Sequence, residues 1–327
     1  MINIGIIGLG GIARWMHVPQ IKESGKFRVC AAADIRPDDG LAGQLEIPAY
    51  YTDYRRLLAD PEIDAVLVST THDLHKEHCC AALRAGKHVI VEKPIARNLE
   101  ESEAILEAAD QAGTTLMVGF CERFDPRNWH IKNLLQEGTL GRPLSARIDH
   151  YQNFNPPAGS WWRNREMVGG GSVIGSGVHR LDLLRWFLGE PVAVYATGIG
   201  MPERLEAEAC VHAAITFESG AVADFSINWA AFSFPYYEGV SVTGSDGTVV
   251  RQDGMMKLSL RGVENGAMKE EAAGPCPTMY EHFAHCIETG ETPLTSGHEG
   301  HESLRLVRAI YQSMETSEVV DPPMVKR

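Results

Sequence analysis

Lys93 stands between Glu92 and Pro94, directly after the apolar run Val89-Ile90-Val91. A lysine at the end of a buried strand, next to a proline, is not placed like a solvated surface lysine. Burial disfavours its ammonium form, so its amine can exchange a proton with a substrate near neutral pH. Position alone equally allows a surface lysine paired with Glu92. A second candidate lies in Gly175-Ser176-Gly177-Val178-His179-Arg180-Leu181-Asp182. Gly175, His179, Asp182 and Trp186 recur at i, i+4, i+7 and i+11, the spacing of one helix face. His179 titrates near neutrality without help. A core histidine held by Asp182 is the plain structural alternative.

The N-terminus supplies what such a pair would act with. Ile4 to Ala13 reads as strand, glycine turn and helix start, with the pattern Gly8-x-Gly10-x-x-Ala13. Gly8 permits the sharp turn, Gly10 permits close approach of a pyrophosphate, and Ala13 permits tight helix packing. The phosphates would sit over the N–H groups of Gly11 and Ile12 at the helix start. A second strand, Phe27 to Ala33, ends in Asp34, 21 residues after Ala13. An acid there accepts hydrogen bonds from ribose hydroxyls and repels a 2′-phosphate, so NAD(H) is expected. Arg36 could fold over and receive that phosphate, which keeps NADP(H) as the alternative. Thr70, Thr71 and His75 follow the fourth strand, and Glu92 and Lys93 the fifth. These complete the expected cofactor-binding set, because ligands of open parallel sheets bind beyond the carboxyl ends of strands.

Strand and helix patterns alternate over the first third, the grammar of a parallel sheet covered on both faces. Ala65-Val66-Leu67-Val68 has the continuous apolar character of a strand buried on both sides. Asp53 is placed to cap a short helix, and Gly113 to end the helix Leu99–Ala112. Beyond Cys121 the pattern changes. One long helix is predicted over Ser172–Leu188, followed by strands joined by the tight turns Glu218-Ser219-Gly220 and Gly244-Ser245-Asp246-Gly247, hence antiparallel. The fold class is α/β. A Rossmann doubly wound parallel sheet is expected over 1–121. An α+β domain with a mostly antiparallel, open-faced sheet is expected over 122–327, with substrate-binding and oligomerisation roles.

Composition narrows the partners. The chain has 327 residues, 44% hydrophobic and 22% charged, with a formal net charge of −13. That balance argues against nucleic acid or an anionic membrane as a partner. The N-terminus enters a strand without a basic start, and no apolar run reaches spanning length. Seven cysteines without a Cys-x-x-Cys suit a reducing cytoplasm. His72, His75, His78 and Cys79, or His282, His285 and Cys286, have helical spacing but no obvious carboxylate partner, so no metal is expected.

These segments together resemble the glucose–fructose oxidoreductase, inositol dehydrogenase and rhizopine-catabolism family (Gfo/Idh/MocA). The resemblance rests on Gly8 to Ala13, Ala81 to Pro94, Arg123-Phe124-Asp125-Pro126, Gly138 to Pro143 and Gly177 to Asp182. It implies that Lys93 lies beside nicotinamide and substrate, often with a cis bond to Pro94. It also implies that His179 contacts the reacting oxygen, and that Arg123, Trp162 and Arg163 lie near the substrate, with Asp182 one turn beyond the histidine. Two positions depart from the family pattern. Gly175 stands where the family usually has Asp, and His72-Asp73 where it usually has Pro-Asn. The expected activity is hydride transfer between a nicotinamide and a secondary hydroxyl or carbonyl of a sugar, polyol or glycoside. A redox glycosidase using bound NAD and a non-catalytic dinucleotide-binding sensor are the alternatives. The resemblance further implies a homodimer or homotetramer.

Overall fold

Ile4, Ile6 and Ile7 of β1 (Ile2–Ile7) are at most 2% exposed, and the first sheet is laid down on either side of them. The chain continues through α1 (Val18–Glu23), β2 (Phe27–Ala33), α2 (Leu41–Gln44), β3 (Ala49–Tyr51), α3 (Tyr54–Leu58) and β4 (Ala65–Val68). It then forms α4 (His75–Arg84), β5 (His88–Val91), α5 (Leu99–Ala112) and β6 (Leu116–Val118). The six strands pair in parallel in the order β3-β2-β1-β4-β5-β6. All four residues of β4 are fully buried, as a strand covered on both faces requires. Each Val or Leu there contributes about 1.5–3 kcal/mol of apolar burial. The structure, a computed structural model, describes residues 1–232, 236–252, 254–263 and 267–322.

Local signals explain the ends of these elements. The Asp53 carboxylate accepts the Arg55 N–H at the start of α3, and the Asn98 side chain accepts the Glu101 N–H at the start of α5. Gly113 ends α5 at φ +64°. Two features escape the sequence patterns. β3 is a three-residue strand of intermediate burial, Ala-Tyr-Tyr, too short to show periodicity. The helix after the glycine turn contains a π-turn over Ala13–His17.

The first unit comprises Met1–Phe120 and Pro277–His301, a return that the expected two-segment division does not include. Within it, α9 (Met279–Thr289), taken up again below in chain order, stacks Phe283 on Phe27 with ring centroids 5.8 Å apart. Thr278 and Glu281 form a reciprocal capping box at its start. The Val118 N–H donates to the Thr295 carbonyl at 2.7 Å, which ties this late segment to β6.

The second unit comprises Cys121–Cys276 and Glu302–Arg327. It contains α6 (Pro126–Gln136), β7 (Pro143–Gln152), α7 (Arg165–Val168), α8 (Val178–Leu188), β8 (Pro191–Gly200), β9 (Glu208–Phe217) and β10 (Val222–Asn228). β11 (Tyr236–Gly244), β12 (Gly247–Gln252), β13 (Met255–Leu260) and β14 (Lys269–Glu270) follow. After α9, the last helix α10 (Gly297–Thr316) crosses the division between the units. Eight strands pair in the order β14-β13-β12-β11-β7-β10-β9-β8. Every pairing is antiparallel except β7 with β10. One face is core: Val211, Ala213, Ile215 and Phe217 of β9 are buried, alternating with exposed His212, Ala214 and Thr216. α8 packs on β7 and β10.

The single long helix predicted over Ser172–Leu188 is corrected here. A π-turn occupies Val173–Gly177 and α8 begins only at Val178. The extra residue in a π-turn shifts the side-chain phase, so the expected stripe does not run through. Trp186 packs against Trp129, with ring centroids 5.9 Å apart.

Candidate active site

In the first unit the glycine turn has the shape its residue types imply. Gly8 adopts φ +91°, and a Cβ there would meet the Ser69 carbonyl oxygen at 2.7 Å. Around Gly10 nothing lies within 4 Å of where a Cβ would be. The backbone is therefore open to a ligand at the helix start, where N–H groups and the dipole favour a phosphate. Asp34 closes the far side. Its Oδ2 accepts the Leu9 N–H at 2.9 Å, and Arg36 donates to both carboxylate oxygens at 2.8 Å. Burial opposes ionisation of Asp34, but the Arg36 and Leu9 donors outweigh it and hold the carboxyl below its ordinary range. The Arg36 side chain is 61% exposed, so it can leave the carboxylate to solvent at little cost. These residues fit a dinucleotide: a tight turn, an open backbone at Gly10 and a fixed acid.

At the end of β4, Thr70 and Thr71 are half-buried, and Thr70 Oγ1 lies 3.1 Å from His78 Nδ1. His75 is fully buried. Its Nδ1 lies 2.8 Å from the Pro94 carbonyl and its Nε2 3.3 Å from that of Thr70. His75 braces the loop that carries Lys93. The Lys93–Pro94 peptide is cis.

Glu92 is buried and heads a chain of hydrogen bonds within the first unit. Its Oε1 lies 2.8 Å from His17 Nε2, and its Oε2 accepts the Lys93 N–H at 3.2 Å. Tyr280 Oη lies 2.7 Å from His17 Nδ1. With the ring proton on Nε2, Tyr280 donates to His17 and His17 donates to Glu92. Burial pushes the Glu92 carboxyl up, but the His17 hydrogen bond and neighbouring positive charge bring it below its ordinary value. Burial pushes the Tyr280 hydroxyl well up, keeping it a donor. His17 and Tyr280 support Glu92 in a way that spacing could not reveal. Lys93 is thus pinned on both sides, its own N–H to Glu92 and the next carbonyl to His75.

In the second unit His179 lies in the first turn of α8 and is 8% exposed. The neighbouring Arg180 fixes the phase of this helix by pairing with Glu238 of β11, which also holds Arg251 and His150. Burial opposes the Glu238 charge, and the two guanidiniums with His150 overcome it, holding the carboxyl far below its ordinary range. Arg123 and Asp182, expected beside the substrate, are buried against each other. The guanidinium donates from Nε and Nη2 to both carboxylate oxygens at 2.8 Å, and Ser303 Oγ donates to Oδ1 at 2.9 Å. Burial still pushes the Asp182 carboxyl up. Arg163 donates to the Pro156 carbonyl of its own loop at 2.8 Å and to that of Glu203, in the turn after β8, at 3.3 Å. Trp162 is half-buried and stacks on Trp161 at 4.2 Å between ring centroids. Among the described residues, no three His, Cys, Asp or Glu side chains are arranged to hold a metal ion. No helix of these residues is long and apolar enough to cross a membrane.

The histidines around the β4 end make stability acid-sensitive. Burial lowers His78 from 6.5 to about 4 and lowers His75 as well. A histidine depressed on folding contributes stability that is complete above 6.5 and is lost as pH falls toward its folded value, because only the unfolded chain takes up the proton. His78 should contribute about 2 kcal/mol of loss by pH 4 after allowing for partial solvent screening. Urea midpoints between pH 7 and pH 4 should show this fall, and His78→Asn should flatten it. An equal slope in both proteins would refute the assignment.

Comparison with known proteins agrees with this geometry. Residues 2–120 match the oxidoreductase family described as NAD-binding Rossmann fold, and residues 132–321 match its C-terminal alpha/beta domain. The chain is 31% identical to 1,5-anhydro-D-fructose reductase of Ensifer adhaerens over 97% of both sequences. It is 29% identical to myo-inositol 2-dehydrogenase of Thermotoga maritima over 96% of both. Aldose-aldose oxidoreductase from Caulobacter crescentus, solved in complex with glycerol, superposes with a TM-score of 0.90 at 29% identity, covering 98% of this chain and 99% of that one. The glycine turn with its acid, the pinned lysine and the mostly antiparallel second sheet are therefore those of a member of the Gfo/Idh/MocA oxidoreductase family, to which this chain belongs.

Proposed function

We propose that this protein is an NAD(P)-dependent dehydrogenase or reductase acting on a secondary hydroxyl or carbonyl of a sugar, polyol or glycoside. The observation that carries this reading is the end of β5, where His17, Glu92 and His75 hold the Lys93 backbone from both sides. Bound nicotinamide supplies a hydride acceptor or donor at its C4. In the oxidative direction the hydroxyl proton of the carbinol would pass to a base on the protein. Lys93 is that base. A positively charged nicotinamide ring would favour its neutral amine. His179 orients the reacting oxygen by a hydrogen bond. Asp34 would hold the ribose hydroxyls of NAD(H), and Arg36 would hold the 2′-phosphate of NADP(H). Trp162 contributes to the substrate subsite, and Arg163 fixes the loop that carries it.

The seven cysteines include no disulfide, which supports a reducing, cytoplasmic setting. The outer face of the second sheet exposes Tyr195, Ile199 and Val222, which supports a homodimer or homotetramer built on that face.

Purified protein with NAD⁺ and a panel of inositols, aldoses, uronic acids and glycosides should produce reduced-nicotinamide absorbance with at least one member. Glycoside cleavage without net NADH would replace this reading with the redox glycosidase. Tight NADH binding with neither reaction across the panel would favour the sensor.

A further inference from the structure

Three glycines, Gly169-Gly170-Gly171, precede the helix that carries His179. They make room for two side chains. A Cβ at Gly170 would overlap the Tyr311 hydroxyl, and one at Gly171 would overlap the Glu208 carbonyl oxygen and lie 2.9 Å from Glu208 Oε2. Glu208 opens β9 and Tyr311 lies in α10, so two other elements of the second unit close on this run. Glu208 Oε1 accepts the N–H groups of Gly171 at 3.0 Å and Val173 at 2.9 Å. Tyr311 Oη accepts those of Gly171 at 3.3 Å and Ile174 at 3.2 Å, and donates its own proton to Glu208 Oε1 at 2.9 Å. Burial and the Glu208 charge push the Tyr311 hydroxyl well up, which keeps that proton in place.

The helix start has no cap of its own. The first N–H groups of a helix lack intrahelical partners, and a serine at this place ordinarily supplies one. Ser172 does not: its backbone is already helical at φ −62°, and its buried Oγ finds no hydrogen-bond partner among the described residues. The π-turn that follows, Val173–Gly177, has little side chain to grip with. A Cβ at Gly175 would lie 2.7 Å from Cζ2 of Trp229, and one at Gly177 2.9 Å from Cζ of Phe225, so bare backbone rests on these rings. The N-terminal end of the turn is therefore held from outside, by the carboxylate and the phenol.

We propose that Glu208 and Tyr311 are positioning residues for His179, fixing through this π-turn where the first turn of α8 presents the imidazole. This rests on the reading of His179 as a substrate contact. The route is short. The Gly175 N–H bonds back to the Gly171 carbonyl at 2.9 Å, and His179 follows Gly175 by one turn. Without the two acceptors the N–H groups of Gly171, Val173 and Ile174 lose their partners, and the end unwinds. A π-turn carries one residue more than an α-turn, so its register sets the direction of every side chain after it. Misplacing a reacting group by about 1 Å costs about a hundredfold in rate.

Glu208→Ala should lower kcat about a hundredfold and leave NADH affinity unchanged, since the glycine turn belongs to the first unit. Glu208→Gln keeps an acceptor oxygen and should restore most of the rate. Two readouts need no turnover. Amide exchange over residues 171–174 should quicken in Glu208→Ala and in Tyr311→Phe. The His179 imidazole signal in carbon–proton NMR spectra, assigned by its loss in His179→Gln, should shift in Glu208→Ala and return in Glu208→Gln. A lowered Tm with that signal and kcat unmoved would make the pair a stabilising cap only and overturn the proposal. So would a fall in kcat for His179→Gln with none for Glu208→Ala. If the wild-type protein forms no NADH from any sugar while the imidazole signal follows position 208, the dehydrogenase reading falls and the positioning stands. NADH formation with a signal indifferent to position 208 does the reverse. Should Glu208→Ala fail to fold, Tyr311→Phe, which keeps both carboxylate bonds to the helix start, is read by the same imidazole signal and exchange rates.

Discussion

Lys93→Met should lower kcat about a thousandfold, within the range for loss of a positioned general base, with little change in KM or in NADH affinity. Glu92 accepts the Lys93 N–H, His75 reaches the Pro94 carbonyl, and Glu92 is in turn held by His17 and Tyr280. None of these links uses the lysine side chain, so its truncation leaves the strand end in place. Methionine retains the stem and removes the amine. Steady-state kinetics with the substrate found in the panel, together with NADH titration, checks this. Added alkylamine should restore part of the rate in Lys93→Ala. Wild-type kcat in Lys93→Met would remove lysine from the proton path.

Arg123→Met should destabilise the protein by about 3–5 kcal/mol, the cost of breaking a buried ion pair from one side. Asp182 is fully buried, and its two oxygens receive both guanidinium donors. Without Arg123 the carboxylate keeps the Ser303 hydrogen bond and the charge of Arg185. Burial then drives it to protonate, which recovers part of the loss. Asp182→Leu made together with Arg123→Met should be more stable than Arg123→Met alone, because neither charge remains buried without its partner. Urea unfolding of the two single variants and the double variant measures the coupling. Wild-type stability in Arg123→Met with a raised KM would return this arginine to the substrate.

The two units differ in how much their sequence discloses. Gly8, Gly10 and Asp34 are legible because each answers a local geometric demand: a positive φ, an open backbone and an acid at a strand end. Asp53 and Gly113 are legible for the same reason. Lys93 is conspicuous by residue type, but what pins it is not. His17 and Tyr280 belong to segments whose periodicity says only that they face a core. The same holds for Arg123 and Asp182, which lie 59 residues apart. Their types suit substrate recognition and ion pairing equally well, and only tertiary packing decides. The π-turn before α8 leaves apolar spacing that reads as an ordinary helix, so a stripe from Gly175 to Trp186 crosses a break. Parallel pairing of β7 with β10 inside an otherwise antiparallel sheet also leaves no mark, since alternation records faces and not neighbours. Trp229, which decides what position 175 can hold, follows a strand with no feature to separate it from other core aromatics.

The return of residues 277–301 to the first unit has a consequence for biosynthesis. Tyr280 meets His17 across 263 residues of chain. A ribosome that has released the whole parallel sheet, and most of the second unit after it, still has not delivered the hydroxyl that completes the chain of donors beneath Lys93. The nascent N-terminal portion must therefore wait with Phe27 and His17 lacking their final partners. Contacts of this length are slow to form, because loop closure must precede their gain, and an uncovered apolar surface invites association in the meantime. Truncation before Pro277 should leave a Rossmann portion that exposes this surface, and the last stretch translated for the first unit acts as its lock.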